Sequence, residues 1–170
     1  MSDNVTRRRC LGVLVGVLGS VALPGCLMPP KRPERWPGRW NDLAYELLVD
    51  PNNILQGDTT TLRWTVENQG SEPRVYDYAE GPVMDVLALS MIGRRDYEPV
   101  IRWSDNPPPG VDLHRVELLP HRPVSIEVRH TPTERVDMQL VWGLLWVPDG
   151  VEGPHYLRAQ RQLFIGPQGY

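Results

Sequence analysis

Leu62-Arg63-Trp64-Thr65-Val66-Glu67-Asn68 alternates apolar and polar side chains without a break, and that alternation decides the fold. Successive side chains of an extended chain point to opposite faces, so Leu62, Trp64 and Val66 share one face and Arg63, Thr65 and Glu67 the other. The stretch reads as a strand half-buried against a core. Asn68-Gln69-Gly70-Ser71-Glu72-Pro73 then supplies turn chemistry, with Gly70 free to take a positive φ and Pro73 fixing its own, so the chain is expected to reverse there.

The same short period recurs outward from this strand. Residues 43–49, 83–91, 99–103, 113–118, 124–130, 139–147 and 156–165 are rich in β-branched or aromatic side chains. Turn clusters separate most of them: Asp50-Pro51-Asn52-Asn53, Gly57-Asp58, Gly93-Arg94-Arg95-Asp96, residues 104–110, and Pro148-Asp149-Gly150. Eighteen prolines, fifteen glycines and a single phenylalanine weigh against a helical bundle. The expected fold class is all-β: an immunoglobulin-like antiparallel two-sheet β-sandwich of about seven to nine strands, spanning residues 43–170.

Ahead of that domain the sequence changes character twice. Residues 1–25 follow the order of a secretory signal, with Arg7, Arg8 and Arg9 before an apolar run over residues 10–22. That run is shorter than the roughly 20 residues a membrane-spanning helix needs, so it is expected to form a signal helix that is removed. Thr6-Arg7-Arg8-Arg9-Cys10-Leu11 resembles the twin-arginine export motif, with Arg7 and Arg8 as its pair and Cys10 where phenylalanine is usual. Leu23-Pro24-Gly25-Cys26 resembles a lipobox, with Pro24 where a small residue is usual, and implies lipidation of Cys26. Cys26 would be the only thiol left in the mature chain, so no disulfide is expected, and a thioether to a diacylglycerol accounts for it. Residues 26–42 interleave four prolines with Lys31, Arg32, Arg35 and Arg39 and are read as a polyproline-like tether unable to form helix or sheet. Its Trp36 and Trp40 either rest on lipid headgroups beside those cations or dock on the domain.

Charge and side-chain inventory narrow the chemistry. Removing residues 1–25 takes away three arginines and one aspartate, which moves the formal charge from -3 to -5. A mildly acidic surface is a poor partner for phosphate, so no nucleic acid is expected. The histidines at 114, 121, 130 and 155 lack metal-ligand spacing; His114, next to Leu113, is read as facing outward and His121 as part of a turn. Ser71, Ser90, Ser104 and Ser125 sit in no glycine-flanked elbow. Asp77, Glu80 and Asp85, around Gly81-Pro82, lack calcium-loop spacing and read as a solvated loop. The expectation is a non-enzymatic domain with no metal and no cofactor. Trp142, Leu144 and Trp146 alternate with Val141, Gly143, Leu145 and Val147, a strand apolar on both faces and so either central, the preferred reading, or covering an interface.

Residues 66–73, 83–89, 100–105 (Val100-Ile101-Arg102-Trp103-Ser104-Asp105) and 116–120 together resemble the BsuPI-like intracellular proteinase inhibitor family. Arg102-Trp103-Ser104-Asp105 matches the end of that family's tryptophan, arginine, tryptophan, serine run, with Ile101 in place of the first tryptophan. The resemblance covers residues 60–130 and implies a small immunoglobulin-like sandwich and a protein partner, with proteinase inhibition as one form of binding. Residues 103–110 offer an aromatic base and a stiff Pro107-Pro108-Pro109 run, which makes Arg102, Trp103, Ser104, Asp105 and Pro108 the candidate binding loop; otherwise Trp103 is core and the prolines protect an edge strand. The functional expectation is an exported lipoprotein, held to the membrane through Cys26 and binding a protein. The alternative is a structural accessory subunit of an envelope or transport complex.

Overall fold

The computed structural model describes residues 34–92, 96–134, 136–148 and 155–167. Their strands are β1 (Glu34–Trp40), β2 (Leu43–Asp50), β3 (Asn53–Leu55), β4 (Thr60–Asn68), β5 (Arg74–Asp77), β6 (Met84–Ile92), β7 (Asp96–Arg102), β8 (Arg115–Leu118), β9 (Val124–His130), β10 (Met138–Val147) and β11 (His155–Gly166). One sheet runs β1-β2-β4-β9, a second β3-β11-β10-β6-β7, and β5 pairs with β8 in a small third. The all-β sandwich is thus as expected, with more strands than the sequence pattern shows. Its strands pair antiparallel except where β3 runs parallel to β11, and Asn68 makes an isolated parallel bridge to Pro120.

The alternation in β4 does what its period requires. Leu62, Trp64 and Val66 are fully buried and face Val86, Ala88, Val141 and Leu145 of the second sheet, while Arg63 stays exposed. Burying apolar surface at roughly 25 cal/mol per Å2 is what holds the two sheets together. Trp64 needs more room than a filled sheet provides. It lies over Gly143 in β10, where an added Cβ would sit 2.3 Å from the indole ring. β10 is central, flanked by β11 and β6, with Val141, Gly143, Leu145 and Val147 inward.

Three expectations are corrected. Residues 34–40, read as tether, form β1 and pair with β2 along its length from Glu34↔Val49 to Trp40↔Leu43, so the sandwich begins before residue 43. Pro37 is tolerated because β1 is an edge strand, where half of the backbone N–H groups have no neighbour to serve. Gly38 accommodates the Tyr45 ring that lies across it, and Trp40 packs on the core, edge-on to His155 at 6.0 Å. Gly70 does not take a positive φ; among the described residues the left-handed positions are Gly57, Gly110, Asn41 and His121. Instead the buried Asn68 amide organises the turn, its Oδ1 accepting from Gly70 N–H at 3.0 Å and its Nδ2 donating to Glu72 O and Leu118 O. The chain therefore does not fold back onto β4 but leaves the sheet to form β5. Finally, Asp85 belongs to no solvated loop: it lies within β6, 1% exposed.

The signal segment, Arg7, Arg8, Cys26 and the first part of the tether lie outside the described residues.

Candidate functional site

Among the described residues β9 is the last strand of its sheet and pairs only with β4, so one side of its backbone has no described strand beside it. Its inward side chains show the consequence. Ile126 and His130 are buried, whereas Val124 and Val128 are only half-buried because no further strand closes the sandwich there. β7 ends the other sheet on the same side. Between these two edges runs a seam.

Three depressions make up the seam. One, of about 430 Å3, lies between β9 and the segment leading into β8, with Trp103, Pro108, Val111, Leu113, Val116 and Ile126 in its wall. A second, of about 370 Å3, shares Trp103, Pro108 and Glu127 with the first. The third, of about 740 Å3, shares Val100 and Ile101 with the second and ends on His130, Gln139 and Ser90. Together they follow the whole free edge of β9. Asp112, Glu117 and Glu127 against Arg115 make the first depression net acidic at its rim. Glu127 is already engaged by Arg63, whose Nε donates to it at 2.7 Å.

The wall is fastened from behind by Asp85. Its Oδ1 accepts from the N–H groups of Val86 (2.9 Å) and Ser104 (3.2 Å), and its Oδ2 accepts from Ser104 Oγ at 2.8 Å. Burial pushes the Asp85 carboxyl above the ordinary carboxylate range, opposed by those hydrogen bonds and by the Arg102 charge. This fixes the single 3-10 turn Trp103–Asp105 and with it the direction of the chain toward Pro108. At the far end His130 Nε2 lies 2.6 Å from Gln139 Oε1, an acceptor, so this nitrogen carries the proton. Burial pushes the ring's pKa down, opposed by the hydrogen bond with Gln139.

The candidate residues from the sequence therefore divide. Trp103 is buried and forms part of the core as well as the seam wall, Pro108 is exposed at the junction of two depressions, and Ser104 is spent on Asp85. Arg102 and Asp105 are exposed in the middle depression. His114 is exposed, its Nδ1 3.0 Å from Tyr78 O, and His121 sits in a turn with φ 54°. Sequence reasoning missed the β9 edge, because alternation marks a strand without saying whether it has one neighbour or two. It also missed Asp85, although a lone carboxylate inside the apolar run 83–91 is the signal of a buried charge. Among the described residues no group of three or more His, Cys, Asp or Glu is placed to hold a metal ion.

No protein-family model matches the chain, and no curated protein matches it. Among solved structures it is similar to the sporulation control protein Spo0M from Bacillus subtilis, at 10% identity and a TM-score of 0.48, over 74% of this chain and 49% of that one. It is also similar to part of a mutant β-glucosidase from Listeria innocua in complex with laminaribiose, at 13% identity and a TM-score of 0.37, over 83% of this chain and 16% of that one. The chain thus spans about half of the first protein and a small part of the second. Both likenesses are too slight to assign an activity.

Proposed function

We propose that this chain is an exported lipoprotein, anchored through a lipid on Cys26, whose sandwich is a non-catalytic module binding an extended segment of a protein partner along β9. The observation that carries the binding mode is the unpaired β9 edge with three connected depressions beside it. An added strand would gain main-chain hydrogen bonds from that edge and specificity from alternate side chains entering the depressions. β9 has seven residues, enough for a partner strand of about 23 Å at 3.3 Å per residue. Apolar anchors fit the walls formed by Trp103, Val111 and Ile126, and neighbouring cations fit the rim of Asp112 and Glu117. The export and anchoring half of the reading rests on Arg7, Arg8 and the Leu23 to Cys26 motif.

Photo-crosslinking in intact envelopes tests it. A photoreactive residue at Val111 or at Glu127 is expected to capture the same protein, while one at Gln69, in a turn at the end of β4, captures none. Equal capture from all three positions, or none from any, would overturn the binding mode.

A further inference from the structure

The outer face of the second sheet is apolar where a solvated face would be polar. Period-two alternation sends Met84, Val86 and Ala88 of β6 into the core and puts Leu87, Leu89 and Met91 on the other face, where Leu87 and Leu89 are buried in a second cluster with Leu140 and Met91 is exposed. The register lines up the neighbours: Tyr97 lies beside Met91, Met138 beside Phe164, and the pairing of Ser90 with Gln139 carries the row from Met91 to Met138. One row thus reads Tyr97, Met91, Met138, Phe164 across four strands. The next contains Pro99, Leu89 and Leu140. Met91 is 51% exposed, Phe164 45% and Tyr97 41%, half of the six large apolar side chains that stand exposed among the described residues. Further along, Gln162, Gln160 and Arg158 of β11 replace the apolar character, with Arg158 lying over Trp142 at 4.7 Å.

The apolar end of this face is also the end at which the chain joins the domain. Glu34 pairs with Val49, and three residues beyond Val49 the carbonyl of Asn52 accepts the N–H of Phe164 at 2.9 Å. Because the sandwich begins at β1, only residues 27–33 separate it from Cys26. Eight residue steps reach at most about 29 Å even when fully extended. A lipid on Cys26 therefore keeps the Phe164 end close to the bilayer.

We propose that the row Tyr97, Met91, Met138 and Phe164 settles into the lipid interface, so that the domain lies on the membrane by this face; Met91 also lines the third depression, so the membrane meets the seam at its His130 end and leaves the part beside Trp103 and Val111 free. The inference rests on the lipid-anchor reading of Cys26. Neutral lipid is the fitting surface, since the row carries no charge and alternation places Asp96 and Glu98 on the opposite side of β7 from Tyr97.

Once Cys10 has left with the leader and Cys26 is acylated, an introduced cysteine is the sole free thiol. Met91→Cys, Phe164→Cys and Val111→Cys, each carrying a nitroxide on the mature chain in phosphatidylcholine vesicles, report immersion through oxygen against nickel-chelate accessibility. At positions 91 and 164 the ratio is expected to rise about threefold over the detergent-solubilised protein, as a side chain 5–10 Å into the interface would show, and to persist in 1 M salt; at 111 it stays unchanged. An acylated chain with all three labels equally water-exposed overturns the membrane contact alone. An intact mass lacking the acyl group on Cys26 overturns the anchor and the contact together.

Discussion

The contact between Trp64 and Gly143 sets the spacing of the two sheets at their centre. Trp64 is fully buried, and any Cβ at position 143 would overlap its ring. Gly143→Ala is therefore expected to destabilise the fold by about 1–3 kcal/mol through overpacking, read as a lower urea midpoint with an unchanged slope. Asp85 gives a prediction of a different kind. Its folded pKa lies above its ordinary value of 3.8, so the folded chain holds that proton more tightly than the unfolded chain does. The contribution to stability is present in full below the ordinary value and is lost as pH rises through the folded one. The advantage of the native protein over Asp85→Asn is expected to be greatest in acid and to shrink with rising pH in thermal melts. Parallel curves at every pH would contradict this.

At the scale of elements, β1 and β9 are the two strands whose roles depend on having one neighbour. β1 is held by the Tyr45 ring, which covers Gly38 and packs 5.4 Å from Trp64. Tyr45→Ala is expected to cost about 2 kcal/mol and to loosen β1 first, since half-buried aromatic packing is lost there and no described strand pairs with its outer edge. Limited trypsin digestion checks this: cleavage at Arg35 and Arg39 should precede cleavage elsewhere in the variant and not in the native chain. The strands with clean alternation or dense β-branched runs, β2, β4, β6, β9, β10 and β11, were legible in the sequence to within a residue or two. β1 was not, because its prolines and arginines carry the composition of a linker, and only pairing with β2 makes them a strand. β3 and β5 are three and four residues long, too short for a period to show. Of the candidate loop, Trp103 and Pro108 lie in the walls of the depressions beside β9. The fate of Ser104 was not legible, since its partner Asp85 lies 19 residues away on another strand.

For the whole molecule, two surfaces stand out: an apolar row on the outer face of the second sheet and a seam between the β7 and β9 edges, which meet at Met91. An exposed edge is normally a liability, because it invites unwanted strand pairing, and here the chain from Trp103 to Val116 walls it without pairing to it. A wall that stands off from an unpaired edge leaves room for one extended segment. Hydrogen–deuterium exchange of the chain alone and of the complex captured through Val111 tests this most directly. Slowed exchange is expected at alternate amides of β9, those facing away from β4, with β1 and β2 unchanged. Unaltered exchange across β9 in the complex, with protection appearing elsewhere, would contradict it.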